Sequence, residues 1–287
     1  MSPAEPTAVD TSESSGFAFD RGAYLKRIDC TERPAETLAF LTALHWAQLS
    51  TIPFENFDLC LNRSIALEPE LLFDKLVRHR RGGYCFEVNG LFLMALRDLG
   101  FSARALLGRV HVTGRPGGRS HQVSLVTLDG QEYLLDVGFG SGTPPVPVPV
   151  ELDRPVATRR GTYRLVGSET FGTMLQLEED GSWSDLYSFD REHVCAGDIE
   201  FANHYTSTSP RSHFVTSRIA ALPTDEGIVT LHERTFKRRV GAVVVEEREL
   251  EEGQPYLDLL RGQFGIELDA RYEDLRPLAG PGRSNGG

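Results

Sequence analysis

The stretch Arg81-Gly82-Gly83-Tyr84-Cys85 runs into a largely apolar segment, Phe86, Val88, Leu91, Phe92, Leu93, Met94, Ala95, Leu96 and Leu99, that stops at Gly100. An apolar run of this length predicts a buried helix, entered through a tight glycine turn and ended by glycine. The rest of the chain must then be arranged around it. Cys85 falls in the first turn. There the unpaired backbone N–H groups and the positive end of the helix dipole favour a thiolate, which is a nucleophile. A free cysteine is also a common small core residue, so this segment alone leaves both readings open.

The remaining constraints are mostly exclusions. With 287 residues and 40% hydrophobic content, the chain can build a large core divided into two or three units. A net charge of −11 argues against general nucleic-acid binding and against a polybasic membrane anchor. No apolar run is long enough to span a bilayer, and Met1 to Gly16 lacks the basic-then-apolar pattern of a secretion signal. The four cysteines, Cys30, Cys60, Cys85 and Cys195, are far apart and form no Cys-x-x-Cys pair, so neither a metal site nor a redox motif is expected. Free thiols fit a reducing cytoplasm.

Patterning divides the chain. Residues 1–16, rich in Ser, Thr, Pro and Glu, read as a disordered tail. Residues 17–100 read as a helical domain that carries the nucleophile, with one helix over Glu36–Leu49 broken at Ile52-Pro53 and another over Glu70–Val77 started by Pro69. Residues 101–190 read as a small antiparallel barrel or sandwich. Its strands are Ala105–Val112, His121–Leu128, Gln131–Val137, Tyr163–Val166, Met174–Leu177 and Trp183–Phe189, with Thr143–Pro149 as an extended connector. Residues 191–276 read as a mixed third unit, with strands at Phe214–Ile219, Ile228–Glu233 and Val240–Glu247 and a helix over Pro255–Phe264. The glycine-rich end, 277–287, reads as flexible.

A catalytic cysteine needs a base, and the base needs an orienting partner. Asp129-Gly130 is a strong two-residue hairpin signal. If Leu128 pairs with Gln131, then Val123 faces Asp136 and His121 faces Gly138. His121 and Asp136 become diagonal neighbours on one sheet face, with Cβ atoms about 7 Å apart or less. A three-residue loop would put them on opposite faces. Asp136 would fix the tautomer of His121, and the other ring nitrogen would take or share the proton of Cys85. Asp136 could equally be a strand-end turn former. Spacing does not reveal whether Cys85 lies beside this hairpin.

Five blocks resemble the arylamine N-acetyltransferases and occur in that family's order: Ile52-Pro53-Phe54-Glu55-Asn56, Arg81 to Asn89, Ser120-His121-Gln122, Asp136-Val137-Gly138-Phe139-Gly140 and Ser207-Thr208-Ser209-Pro210. The resemblance implies an α+β fold in three parts, a helical bundle, a β-barrel and an α/β lid, around a papain-like Cys-His-Asp core. It implies Cys85, His121 and Asp136 as the triad, and acetyl-CoA as the acyl donor. A small aromatic amine or hydrazine would be the acceptor. Phe139 and Gly140 would line the acceptor pocket, although Phe139 could instead cap the core. Ser120, before the histidine, would touch CoA. The basic cluster Arg234, Lys237, Arg238 and Arg239 would meet the cofactor's phosphates, as would the cluster Arg78, Arg80 and Arg81, unless each is simply a solvated face. Glu55 and Arg81 would form an ion pair holding the Cys85 loop or would contact substrate. Asn89 would bond buried backbone.

Three other readings follow from the same residues. Amide synthases that close the macrolactam of ansamycin-type polyketides share this fold and triad, but take their acyl chain from a carrier protein. Cysteine peptidases and transglutaminases also use a Cys-His-Asp set. A binding protein on the same scaffold would have no need of all three side chains.

Overall fold

The predicted helix forms over Cys85–Asp98 and is buried from Cys85 to Leu96 except at Gly90 and Met94. Gly100, at φ 95°, ends it as expected. The computed structural model describes residues 16–241 and 243–276, so the expected tail before residue 16 and the expected flexible end at 277–287 lie outside the described residues. The helices are α1 (Arg21–Arg27), α2 (Leu38–Thr51), α3 (Phe57–Cys60), α4 (Pro69–Phe73), α5 (Cys85–Asp98), α6 (Ala196–Thr208), α7 (His213–Thr216) and α8 (Gln254–Leu259). The first strands are β1 (Phe54–Glu55), β2 (Ser102–Val110), β3 (Arg119–Leu128), β4 (Gln131–Leu135), β5 (Val148–Pro149) and β6 (Val156–Thr158). They are followed by β7 (Gly161–Ser168), β8 (Gly172–Glu179), β9 (Ser182–Phe189), β10 (Ile219–Pro223), β11 (Gly227–His232), β12 (Thr235–Val240) and β13 (Val243–Glu249).

Eight strands form one antiparallel sheet in the order β5-β4-β3-β2-β9-β8-β7-β6. Side chains from β2, β3, β4, β5, β7, β8 and β9 meet in a single apolar cluster, so the sheet curls around its own core like a barrel. Strand alternation joins that core to the helices. Val123 and Leu125 of β3 point into the barrel, while Val126 and Leu128 pack with α2 and α5. The second sheet runs β1-β10-β11-β12-β13. It buries Ala220, Val229, Leu231 and Phe236 against Tyr256, Leu260 and Phe264 of the C-terminal helical segment.

Two readings in the last third fail. Phe214–Ile219 is not a strand: His213–Thr216 is a short helix, and β10 begins only at Ile219. Asn56 donates from Nδ2 to the Phe214 and Ser217 carbonyls at 2.7 and 2.6 Å and accepts the Ile219 N–H on Oδ1 at 2.8 Å, a long-range anchor that local β-propensity does not report. Val240–Glu247 spans two strands, because the chain turns at Gly241 with φ 57°. Helix α6 was not anticipated. Its buried face is Ala202, Asn203 and Thr206, which leaves no apolar period to read.

Candidate active site

The segment before Cys85 lies along β1. The Gly83 N–H donates to the Pro53 carbonyl at 3.2 Å, and the Glu55 N–H donates to the Gly83 carbonyl at 3.0 Å. Neither Gly82 nor Gly83 has a positive φ, so a sharp turn is not what selects them. A Cβ on Gly82 would collide with the Pro53 carbonyl, and one on Gly83 would lie 2.8 Å from the Glu87 side chain. Glycine is required here for close approach.

Beneath this loop lies a network of buried charges. Arg81 donates to Glu55 Oε1 from Nε at 3.0 Å and Nη2 at 2.8 Å, the expected ion pair. Glu55 Oε2 accepts the Phe57 N–H at 2.7 Å. Lys75 Nζ reaches Asp58 Oδ2 at 2.5 Å and Glu87 Oε1 at 2.6 Å. Glu87 Oε2 accepts the N–H of Tyr84, the residue that precedes Cys85, at 3.1 Å. Arg81 therefore holds the loop and is not free for substrate, while Arg78 pairs with Asp74 at 3.3 Å.

Cys85 opens α5 and is 2% exposed, with its sulfur 3.7 Å from the Ser120 carbonyl. Ser120 thus meets the Cys85 sulfur through its backbone carbonyl. The β3–β4 hairpin has the expected register: Leu128 faces Gln131, and the ladder continues to Ser124 and Leu135. His121 Nε2 lies 2.7 Å from Asp136 Oδ2. With Nε2 committed to Asp136, Nδ1 is the nitrogen left for Cys85, whose sulfur lies near enough to the ring to favour its charged form. Sequence spacing could not show this convergence of Cys85, His121 and Asp136.

Asp136 is held from three sides. Its Oδ1 accepts Asn89 Nδ2 at 3.0 Å and the Gly138 N–H at 2.8 Å. Its carbonyl accepts Nε2–H of His45 at 2.9 Å. Asn89 also donates to the Gln122 carbonyl at 2.7 Å and accepts the Val137 N–H at 3.0 Å, so it binds buried backbone as expected and grips the carboxylate as well. Gly138 is a second close approach: a Cβ there would lie 2.7 Å from Val88 and 3.1 Å from the Cys85 Cα. The His121 ring packs against Phe139 and Tyr187, each 4.9 Å away between centroids. His45 and Tyr187 were missed because each reaches the site only through the tertiary fold.

Burial opposes a charge on His121, but the Asp136 carboxylate, its hydrogen bond and the contact with Cys85 outweigh it and push the imidazole up to about 10. Burial likewise disfavours the Asp136 carboxylate, yet His121, Asn89 and the Gly138 N–H hold it below the usual carboxylate range. Burial drives His45 down to about 4, so it is neutral at pH 7 and suited to donating. The pair therefore stands as imidazolium and carboxylate beside a sulfur at a helix N-terminus, an arrangement suited to nucleophilic acyl transfer.

The other residues singled out in the sequence lie as follows. The Phe139 N–H donates to Thr143 Oγ1 at 2.8 Å, and Gly140 has φ 64°. Lys237, Arg238 and Arg239 lie on β12, three places from β1 in its sheet. Lys237 pairs with Glu247 at 3.1 Å and Arg238 with Glu246 at 3.2 Å. Among the described residues, no helix is long and apolar enough to cross a membrane.

An N-acetyltransferase family profile matches residues 37–272. The arylamine N-acetyltransferase / N-hydroxyarylamine O-acetyltransferase of Salmonella typhimurium is 37% identical over 252 residues, covering 86% of this chain and 89% of that protein. The arylamine N-acetyltransferase of Mycolicibacterium smegmatis is 39% identical over 260 residues, covering 88% and 94%. The structure of Mycobacterium marinum arylamine N-acetyltransferase in complex with CoA superposes with a TM-score of 0.80 at 36% identity, covering 86% of this chain and 93% of that one.

Proposed function

The chain belongs to the arylamine N-acetyltransferase family, and from that premise we propose that it moves an acetyl group from acetyl-CoA to the nitrogen of an arylamine or arylhydrazine through a thioester on Cys85. The observation that carries this reading is the 2.7 Å His121–Asp136 pair beside a sulfur at the start of α5. In the first half, the Cys85 thiolate attacks the thioester carbonyl of acetyl-CoA. The C–S bond to CoA breaks, and the departing sulfur takes the proton held on His121. In the second half, the amine nitrogen attacks the acetyl-cysteine carbonyl. Its proton passes to His121, and the Cys85 thiolate leaves. Asp136 keeps the ring in one orientation throughout and stabilises its charged form.

The backbone N–H of Cys85, at the helix start, is a natural donor to the developing oxyanion. Phe139, packed on His121, is the surface on which an aromatic acceptor would stack, with Gly140 beside it. Lys237, Arg238 and Arg239 are the proposed partners of the CoA phosphates. The tight enclosure of Cys85 supports a short acyl group over a carrier-bound polyketide chain. A free nucleophilic thiol suits a reducing cytoplasm.

Intact-mass measurement after incubation with acetyl-CoA tests the reading. One acetyl group should appear on the wild-type chain, be absent from Cys85→Ser, and be discharged by an aromatic amine. An unmodified wild-type chain after full exposure to acetyl-CoA would exclude acetyl-CoA as donor.

A further inference from the structure

Lys75 touches neither substrate nor triad in the scheme above, yet among the described residues it is the one cation paired with Glu87. Glu87 is 1% exposed, and burial pushes its carboxyl up against the ionised state. The charged groups facing it are Lys75 and, farther off, Glu55, with Asp58 and Arg81 completing the cluster. Glu55, Asp58 and Glu87 are thus matched by Lys75, Arg81 and, at the more exposed end 3.8 Å from Asp58, Arg63. Each Glu87 oxygen has its own donor: Oε1 takes Lys75, and Oε2 takes the Tyr84 N–H. That second bond fixes the residue immediately before the sulfur. The carboxylate also fills the space that Gly83 leaves by lacking a Cβ.

We propose that Lys75 is a positioning residue for Cys85, acting through Glu87. Its ammonium holds Glu87 as a two-acceptor carboxylate, and that carboxylate locks the Tyr84 N–H at the mouth of α5. The inference rests on Cys85 being the nucleophile but not on the identity of the acyl donor.

The arrangement predicts an unusual dependence between two substitutions. In Lys75→Met, Glu87 is left buried without its counter-ion and takes up a proton. In Glu87→Gln, two donors, Lys75 and the Tyr84 N–H, face an amide with only one acceptor oxygen. In the double variant both conflicts are relieved: the amide oxygen accepts the Tyr84 N–H, no ammonium faces the amide, and no unpaired carboxylate is left at position 87.

The experiment is the rate of Cys85 alkylation by iodoacetamide, followed by intact mass, together with acetyl transfer, in all four proteins. Alkylation reports the placement of the sulfur even if acetyl-CoA is not the donor, so the two readings fail separately. Each single variant should be slowed about tenfold or more, and K75M/E87Q should return to within about threefold of wild type. A single variant too unstable to purify, beside a folded and active double, supports the same coupling. A double as slow as the slower single, a double that does not fold, or a K75M protein that reacts like wild type would each overturn it.

Discussion

Around Cys85 the supporting side chains are charged: buried Glu55, Arg81 and Glu87 and half-buried Asp58 and Lys75 form one network under the loop. Around Asp136 they are neutral: the Asn89 amide, the Gly138 N–H and the uncharged His45 ring. The difference follows from what each side must do. The loop before Cys85 is irregular backbone that has to be pinned, and short charge-assisted bonds do that at the expense of burying charge. Asp136 must remain the dominant partner of His121. Neutral donors fix its carboxylate without adding a second cation that would compete with the imidazolium for it.

The largest test of this contrast removes the sulfur itself. Cys85→Ser should lower acetyl transfer by at least about 10³-fold while leaving the thermal midpoint nearly unchanged, because the hydroxyl fits the same site. Comparing turnover with melting in one preparation checks both. Asp136→Asn comes next, with an expected loss of roughly 10³–10⁴-fold, since the amide can present its NH2 to His121 and favour the wrong tautomer. Asn89→Ala should cost stability more than chemistry: about 1–3 kcal/mol by denaturant titration, because the Gln122 carbonyl and the Val137 N–H lose their partner inside the protein. If Asn89→Ala matched Asp136→Asn in turnover, the neutral shell would be part of the chemistry and not merely its support.

How much of this could be read before the fold was seen differs between the two sides. The Asp129-Gly130 turn has φ 50° and 78°, the geometry that such a pair favours, and it alone set the register that brings His121 and Asp136 to one face. That relation is local, so sequence carries it. The Glu55–Arg81 ion pair was expected only because both residues fall in matched blocks, with substrate contact as the alternative. Lys75 and Asp58 were invisible because a charged residue on a short helix reads as solvated until the fold shows what covers it. The α6 helix and the short helix at His213–Thr216 stayed hidden for a related reason: small polar residues and one remote asparagine define them.

A change of pH should test the charge held on the Asp136 side. His121 is raised to about 10 from an ordinary value of 6.5, so its contribution to stability is fully present below about 6.5 and is lost as pH climbs toward 10. Asp136 is depressed, so its contribution is present above the usual carboxylate range and is lost as pH falls through its own lowered value. The difference in thermal midpoint between wild type and His121→Asn should therefore be widest between those limits and shrink from pH 6.5 to 10. A difference that stays constant across that interval would mean the ring is not charged in the folded protein.

The smallest expected effects concern a third set of charges, which sharpens the contrast by being exposed. On β12 and β13, Lys237 and Arg238 already have carboxylate partners, Glu247 and Glu246, and each side chain is about a third exposed. Surface pairs of this kind are worth about 0–1 kcal/mol, so removing them should barely alter stability. Arg239 follows the register shift in β12 and has no ion pair among those found in the described residues. If this strand receives the CoA phosphates, Arg239→Ala should raise KM for acetyl-CoA about fivefold and flatten its dependence on salt, whereas Lys237→Ala should change KM by about twofold or less. Equal effects from both would mean that Glu247 releases Lys237 when CoA binds. No effect from either would mark the strand as a solvated face and move the phosphate contacts elsewhere on the protein.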